Sequence, residues 1–567
     1  MSTLELFSAD WRELWQGHEG PESVGAVFTR PEIVDLILDL AGYTPTTGRL
    51  SQKTVLEPSC GDGAFLQAIV TRLVQSEQDG CTSVAWEATS WDSALRAVDI
   101  NEASLTSARA MIRGLLSAAG CPGSRAHQLA ERWTVHTDFL LMEWASPFDY
   151  VVGNPPYVRL EDLPKKLLAH YRGRFSTATD RADLYVPFIQ RGLQLLADDG
   201  ALAFICANRF AKNQYGAALR RHVARGFHVR HFINLEHTQP FLEDVSAYPA
   251  IVVIDRTSGE PTHAATLEDL SAQTLETLRR EVSTSVPTAG LVSQFPRWYE
   301  DGSPWRTTSR AEHDFLATLE AGFPTLESSA PGTRVGIGVA TGADSVFVLK
   351  AKDPGIEESR QIPLLMAEDV RFDAPEWSGH YLINPFDGSD DGSLVDLDQF
   401  PGLRDYLEQA SQQLRGRHVA KARPASWFRT IDRIWPRHQF VPKLVLPDIQ
   451  AGGVVGLDAG QYYPHHNLYW VTSDSWDLRA LQALLRSSIA LAQVRAFSVQ
   501  MRGGSLRYQA QTLRRLRIPA RATLSDEVVA SLAAVATATD QSLIDRVAVE
   551  AYGATGVQGD RLAGGAR

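Results

Sequence analysis

Residues 53–74, KTVLEPSCGDGAFLQAIVTRLV, restrict the fold more than any other stretch of this chain. A short apolar run is followed by a turn bearing Gly61 and Gly63, then by apolar residues at helical spacing. The chain here must leave a strand, turn tightly and enter an amphipathic helix, the opening unit of a doubly wound α/β sheet. Such sheets bind ligands outside the carboxyl ends of their strands. The two glycines allow close backbone approach, and the helix N-terminus that follows favours a carboxylate or another polar ligand. A tight structural turn would use the same glycines. The stretch has neither the GxGxxG spacing of a dinucleotide fold nor the lysine of a phosphate-binding loop, so hydride transfer and ATP hydrolysis are poorly supported.

A second stretch, VVGNPPYVRL at 151–160, sets two prolines at the end of an apolar run. A strand interior rejects residues that cannot donate to the ladder, so the strand ends there and the loop beyond is stiff. That loop is either a rigid turn with Tyr157 in the core, or a clamp for a flat polar molecule. Around it, PEIVDLILDLAG (31–42) reads as a capped helix, from Pro31 to Gly42. SVAWEATS (83–90) and TVHTDFL (134–140) read as short strands, and FDYVVGNPPYV supplies the next. LYVPFIQRGLQLLADDG followed by ALAFICANRF is helix then strand, with FHVRHFINLEH and YPAIVVIDRT as the last strands. Glu87, at the end of the 83–90 segment, is placed either to accept from a ribose hydroxyl pair or to be a solvated strand-end acid.

At 567 residues the chain exceeds the size at which one core usually splits. The expected domains are a leader at 1–20, the α/β domain at 21–256, a linker or bridging helix at 257–285, a second, mixed α+β domain at 286–520 and a C-terminal helix with a glycine-rich tail at 521–567. The N-terminus carries acidic residues where a signal peptide needs a basic region, and no apolar stretch is long enough to span a membrane, so no membrane association is expected and the cytoplasm is the default. Cys60, Cys81, Cys121 and Cys206 form no CxxC pair, and the histidines of YYPHHNLYWVT have no cysteine or acidic partners at metal spacing, which favours a fold without metal. A formal net charge of −12 argues against indiscriminate polyanion binding but leaves room for a local basic cleft.

EPSCGDGAFL followed by NPPY resembles the adenine-N6-specific DNA methyltransferases that use S-adenosylmethionine, in the single-chain class of restriction-modification systems. VFTRPEIVDLIL, EPSCGDGAFL, an acidic strand end, TDFL, VVGNPPY and GALAFICANRF stand in the order of that class, over residues 24–256. A weaker likeness continues through GIGVATGADSVFVL, KLVLPDI and MRGGSLRYQAQTLRRLRIP into a target-recognition domain. The resemblance implies a doubly wound, mostly parallel methyltransferase sheet, S-adenosylmethionine as cofactor and double-stranded DNA as partner, with any restriction endonuclease a separate chain. It implies Phe28 and Thr29 at the methionine end of the cofactor, Glu57, Pro58, Gly61 and Gly63 at the methionine and ribose, Glu87 at the ribose hydroxyls with Asp92 as fallback, and Asp138 and Phe139 at the adenine. Asn154, Pro155 and Tyr157 match its catalytic motif. Phe241 is similar to a residue near the target base, and a core role would suit it equally.

The chemistry fits these residue types. An adenine amine is conjugated and a poor nucleophile, so acceptors such as the Asn154 side-chain oxygen and the Pro155 carbonyl must draw its lone pair out of conjugation. A sulfonium is already a strong methyl donor, which leaves alignment as the main task and requires neither metal nor covalent nucleophile. Tyr157 suits stacking on a base that has left the helix. Arg502, Gly503, Gly504 and Arg507 are the candidates for contact with the DNA backbone. Rival readings are methylation of RNA or of a protein glutamine amide, and a DNA-binding subunit without turnover.

Overall fold

The structure, a computed structural model, describes the chain outside residues 1–10, 16–26, 80–83, 180, 244–247, 258–260, 285–289, 296–298, 300, 306–309, 390–391, 436–437, 499–504 and 554–567. It divides into two units, Met1–Arg310 and Ala311–Arg567. Among the described residues no helix is long and apolar enough to cross a membrane.

The first unit is built on one nine-stranded sheet. Its elements in chain order are α1 (Pro31–Ala41), β1 (Val55–Glu57), α2 (Ala64–Gln78), β2 (Leu95–Asp99), α3 (Glu102–Ala118), α4 (Gly123–Trp133), β3 (Thr134–His136), β4 (Phe148–Gly153), α5 (Lys165–Arg174) and α6 (Tyr185–Gln194). Then follow β5 (Leu196–Ala207), α7 (Ala217–Gly226), β6 (His228–Asn234), β7 (Pro249–Asp255), β8 (Thr262–Thr266), α8 (Ala272–Val282) and β9 (Ser293–Phe295). The strand order is β3-β2-β1-β4-β5-β7-β6-β8-β9. β1 to β5 pair in parallel, and β7 runs antiparallel between β5 and β6. This is the expected doubly wound, mostly parallel sheet of the S-adenosylmethionine-dependent methyltransferase type.

The sequence accounts for the layers. In β5, Ala201, Ala203 and Ile205 join the apolar cluster that holds α1 and α2, while Leu202, Phe204 and Cys206 join the cluster that holds α6 and α7. Successive side chains point to opposite faces, so a strand covered on both sides is apolar throughout. α1 begins with Pro31 at its first turn and closes at Gly42, whose φ of 84° lets its N–H reach the carbonyls of Asp39 and Leu38.

Two expectations are corrected. SVAWEATS is not a strand: its described part runs as turns into a short helix, Ser90–Ser93, and the second strand is Leu95–Asp99. Trp86 and Trp91 pack together at 4.7 Å, and Arg125 from α4 takes the carbonyls of Trp86 and Ala88, so side chains satisfy this backbone in place of a ladder. The segment expected as a linker or bridging helix, 257–285, holds a helix, α8, whose Arg279 donates to Asp39 of α1 at 2.7 Å, and before it β8, a sheet strand paired in parallel with β6. β9 extends the sheet further, beyond the expected boundary.

The second unit is mixed α and β, as expected. One four-stranded antiparallel sheet joins Arg334–Ile337, Leu468–Thr472, Lys443–Pro447 and Gly456–Asp458, and a second joins Val348–Leu349, Tyr381–Ile383, Gln361–Leu365 and Tyr463–Pro464. The C-terminal helices Asp526–Val535 and Gln541–Ala551 share a core with Leu478–Arg486, so they belong to this unit's packing. Of the YYPHHNLYWVT histidines, His465 is buried with its Nε2 3.2 Å from Asp344 Oδ2, and His466 Nδ1 lies 4.0 Å from the same oxygen. At the edge of the first of these sheets, Lys443 and Asp458 face each other across the ladder and form a fully buried ion pair at 2.7 Å. Burial pushes the Lys443 ammonium down, and the carboxylate of Asp458 pulls it back up. Lys443→Met is expected to strand a buried charge and cost about 3–5 kcal/mol, read as a lower urea midpoint for the second unit at unchanged slope.

Candidate active site

The strand order reverses between β1 and β4, and a cleft opens at the carboxyl ends of β1, β2, β3 and β4. Each of these strands delivers one polar residue to it: Glu57, Asp99, Asp138 and Asn154.

The turn after β1 is shaped by its glycines. Gly61, at φ 51°, donates its N–H to Asp99 Oδ2 at 2.8 Å. Gly63 caps α2 at φ 95°, and a Cβ there would stand 2.5 Å from Met111 Cε, so it makes the bend while the residues before it line the cleft. Glu57 is buried and its Oε2 has no hydrogen-bond partner among the described residues. Burial first, then the charges of Asp99 and Asp62, push its carboxyl well above the ordinary range. Asp99 is raised for the same first reason, moderated by the N–H groups of Asn101 and Gly61.

Asn154 follows β4. Its Nδ2 donates to the Val27 carbonyl at 2.8 Å and to Thr29 Oγ1 at 3.3 Å. A carbonyl only accepts, so the amide nitrogen must face Val27, and Oδ1 is left buried with no partner among the described residues. Ser59 Oγ donates to the Asn154 backbone carbonyl at 3.2 Å, tying the glycine turn to this loop. The leading segment is itself held by pairing with 240–242: Arg30 N–H donates to Pro240 at 3.0 Å and Leu242 N–H to Phe28 at 2.9 Å. Phe241 is in the core, edge-on to the half-buried Tyr157 ring at 6.0 Å, and the Tyr157 hydroxyl has no partner.

Asp138 is fully buried. Its Oδ1 accepts from Leu140 N–H at 2.8 Å, and its Oδ2 from Trp15 Nε1 at 3.0 Å and the Tyr171 hydroxyl at 2.5 Å. Burial raises its carboxyl, and these donors oppose that. Phe139 packs on Phe188 at 5.0 Å beside it.

Of the residues expected at a cofactor, Phe28, Thr29, Glu57, Pro58, Gly61, Asp138, Phe139 and Asn154 line the cleft. Pro155 and Tyr157 stand behind the lining, where Pro156 and Val158 take part. Glu87 does not reach it: it is exposed on a turn before β2, and the fallback Asp92 pairs with Arg125 at 2.9 Å. The strand-end acid is Asp99, which sequence reasoning missed because the strand was placed too early. Trp15 and Tyr171 were missed as well. The first lies in the expected leader, the second on a helix whose basic residues gave no hint of a buried hydroxyl. Arg507 is paired with Asp448, and Arg502, Gly503 and Gly504 lie outside the described residues.

The sheet and the strand-end cleft define the class, that of S-adenosylmethionine-dependent methyltransferases. A family profile described as Eco57I restriction-modification methylase matches residues 97–241. The chain is 43% identical over 547 residues to the type II methyltransferase M.PaeR7I of Pseudomonas aeruginosa, covering 96% of this chain and 94% of that one. It is 41% identical over 548 residues to M.XhoI of Xanthomonas vasicola, covering 96% and 100%. Among solved structures, the type IIL restriction-modification enzyme MmeI in complex with DNA shares the fold at a TM-score of 0.60 and 11% identity, over 94% of this chain and 74% of that one. The chain belongs to the type II methyltransferases of restriction-modification systems.

The geometry separates Asp99 from Glu87 experimentally. Loss of a hydrogen bond to a charged group costs about 1.5–3 kcal/mol, so Asp99→Ala is expected to weaken S-adenosylmethionine binding by roughly tenfold or more. Glu87→Ala should bind as the unaltered protein does, both measured by titration calorimetry.

Proposed function

We propose that the protein transfers the methyl group of S-adenosylmethionine to the N6 amine of an adenine flipped out of a specific double-stranded DNA sequence, and so marks host DNA against a separate restriction endonuclease. The observation that carries this reading is the Asn154 amide: held by Val27 and Thr29, it presents a buried acceptor oxygen with no protein partner. An acceptor so placed is matched by an amine that must shed electron delocalisation and then a proton.

The unpartnered Glu57 Oε2 and the half-buried Asp99 fit the cofactor, whose amino group and ribose hydroxyls are donors. Phe28, Thr29, Glu57, Pro58 and Gly61 would hold its methionine and ribose, Asp99 the ribose hydroxyls, and Asp138 with Phe139 the adenine. When bound, S-adenosylmethionine supplies a methyl group on a positively charged sulfur. Asn154 Oδ1, with the Pro155 carbonyl, would orient the target amine and accept its hydrogens. Tyr157, braced by Phe241, would stack on the extruded base, and the prolines at 155 and 156 keep the loop from yielding.

Removal of a single preorganised acceptor typically costs about 10²–10³ in rate. Asn154→Ala is therefore expected to lose methyl transfer by at least that factor while retaining cofactor and DNA binding, followed by tritium transfer, calorimetry and gel shift. N6-methyladenine in digested DNA identifies the product; its absence with active protein would overturn the reading.

The carboxyl shifts give a pH dependence with a defined sign. Glu57 and Asp99 are raised in the free protein, and a ligand bringing positive charge and hydroxyl donors favours their ionised forms. Cofactor affinity should fall as pH drops through the raised values, by about tenfold per pH unit for each group, with proton release on binding in that same pH range. The same shifts mean that the ligand-free fold loses their stabilising contribution as pH rises through the folded values. An affinity independent of pH would remove these acids from the cofactor site.

A further inference from the structure

The second unit carries a basic segment that neither the motif order nor the strand-end site accounts for. Between Glu408 and Asp432 the chain has no acidic residue, yet it holds Arg415, Arg417, Lys421, Arg423 and Arg429, in a protein of formal net charge −12. The segment forms two short helices, Ser411–Gly416 and His418–Ala422, and Pro424 follows. An open cleft of about 640 Å³ lies against it, lined by Gly342, Arg417, His418, Arg423, Arg429 and Ile431 among others.

The cations divide into two kinds. Arg417 is committed to the frame: it donates to the carbonyls of Leu414 at 3.1 Å, Thr341 at 3.2 Å, Trp427 at 2.9 Å and Arg429 at 2.8 Å. Arg415 lies over the Trp427 ring at 4.3 Å. Lys421 and Arg423 are exposed and have no acidic partner among the described residues. Arg417 is thus a fixed positive charge in the cleft lining, and the guanidinium of Arg423 in the same lining and the ammonium of Lys421 close to it along the chain are uncompensated among the described residues. Uncompensated cations held on a rigid frame raise the local concentration of a polyanion, and the net charge of the whole chain does not cancel that near field. The charge of the lining comes from its arginines; it holds no Asn, Gln, Asp or Glu, and Gly342, Val419, Ala422 and Ile431 among the rest cannot read base edges by hydrogen bonding.

We infer that this cleft and the exposed surface beside it hold the phosphodiester backbone of the DNA, with Arg423 in the lining and Lys421, next to the lining residue Ala422 along the chain, contacting phosphates while Arg417 and Arg429 add positive charge to the cleft. The inference rests on the proposed DNA substrate and assigns it a surface apart from the 502–507 stretch.

The test uses the full chain and a random-sequence duplex, with affinity followed by fluorescence anisotropy over a range of salt. Each lost phosphate contact lowers the slope of log affinity against log salt by about 0.9, which corresponds to roughly eightfold in affinity at about 0.1 M salt. Lys421→Gln/Arg423→Gln is expected to show both changes for two contacts, with cofactor binding unaltered as the check on folding. The control Lys350→Gln/Lys352→Gln, which removes the same charge elsewhere in the unit, is expected to bind as the unaltered protein does. An unchanged slope in the double variant overturns the assignment, and so does an equal loss in the control. If the unaltered protein binds S-adenosylmethionine but no duplex, the proposed substrate falls together with the cleft. If it binds duplex and the double variant binds equally well, only the cleft falls.

Discussion

The donation from the Asn154 amide to the Val27 carbonyl, at 2.8 Å, is the contact on which the site depends. It joins the segment before α1 to the end of β4, and it settles the direction of an amide that would otherwise be free to turn. Both ends are themselves fixed. The Phe28–Arg30 segment is paired to 240–242, and the loop carrying Asn154 is stiffened by Pro155 and Pro156 and tied to the glycine turn by Ser59. A polar group left unpaired in a buried place costs about 1–3 kcal/mol, and such a group persists only where its surroundings over-determine it. Here they do.

The parallel sheet creates the second constraint. Successive strands ending on one side bring Glu57, Asp99 and Asp138 into one desolvated cleft, and the protein treats them differently. Asp138 is supplied with three protein donors, from Leu140, Trp15 and Tyr171, so its position is set before any ligand arrives. A carboxylate has about four lone-pair sites, which leaves it room for one more donor. Glu57 retains an unpaired oxygen, and Asp99 is met only by backbone N–H groups at the turn. Under the proposed function, these two are the acids whose charge the ligand completes, while Asp138 is a prebuilt acceptor.

What could be read from the sequence follows the range of the interactions involved. The glycine turn, the β4 loop and β5 were legible because their signals are local: backbone conformations that favour glycine, missing donors at proline, and an apolar run that only a doubly covered strand requires. Asp99 was not, because the segment before it, with Trp86 and Trp91, imitates the alternation of a strand. Trp86 and Trp91 face each other, and the Trp133 indole donates to the Trp91 carbonyl, so Val84, Trp86 and Trp91 serve a side-chain cluster and the true strand follows it. Trp15 and Tyr171 were invisible for a different reason. Each reaches Asp138 across more than thirty positions, from segments whose own composition is polar or mixed. The extra strand β8 was hidden in a segment whose polar, helix-forming composition suits a linker, and pairing with β6 on one side and β9 on the other makes THAAT a strand.

The same separation of local from summed properties applies to charge. The formal value of −12 combines two regions of opposite character. In the first unit, acids are gathered at strand ends, where burial raises their carboxyls above the ordinary range, an effect that a count made at fixed charge does not register. In the second, residues 409–431 carry only positive charge, much of it at the surface. Fields near a surface are set by the nearest charges within about one Debye length, roughly 8–10 Å at ordinary salt. Under the proposed function the chain binds a cationic donor in one place and a polyanion in another and therefore needs a sharp local contrast, and its net charge, being the sum, describes neither place.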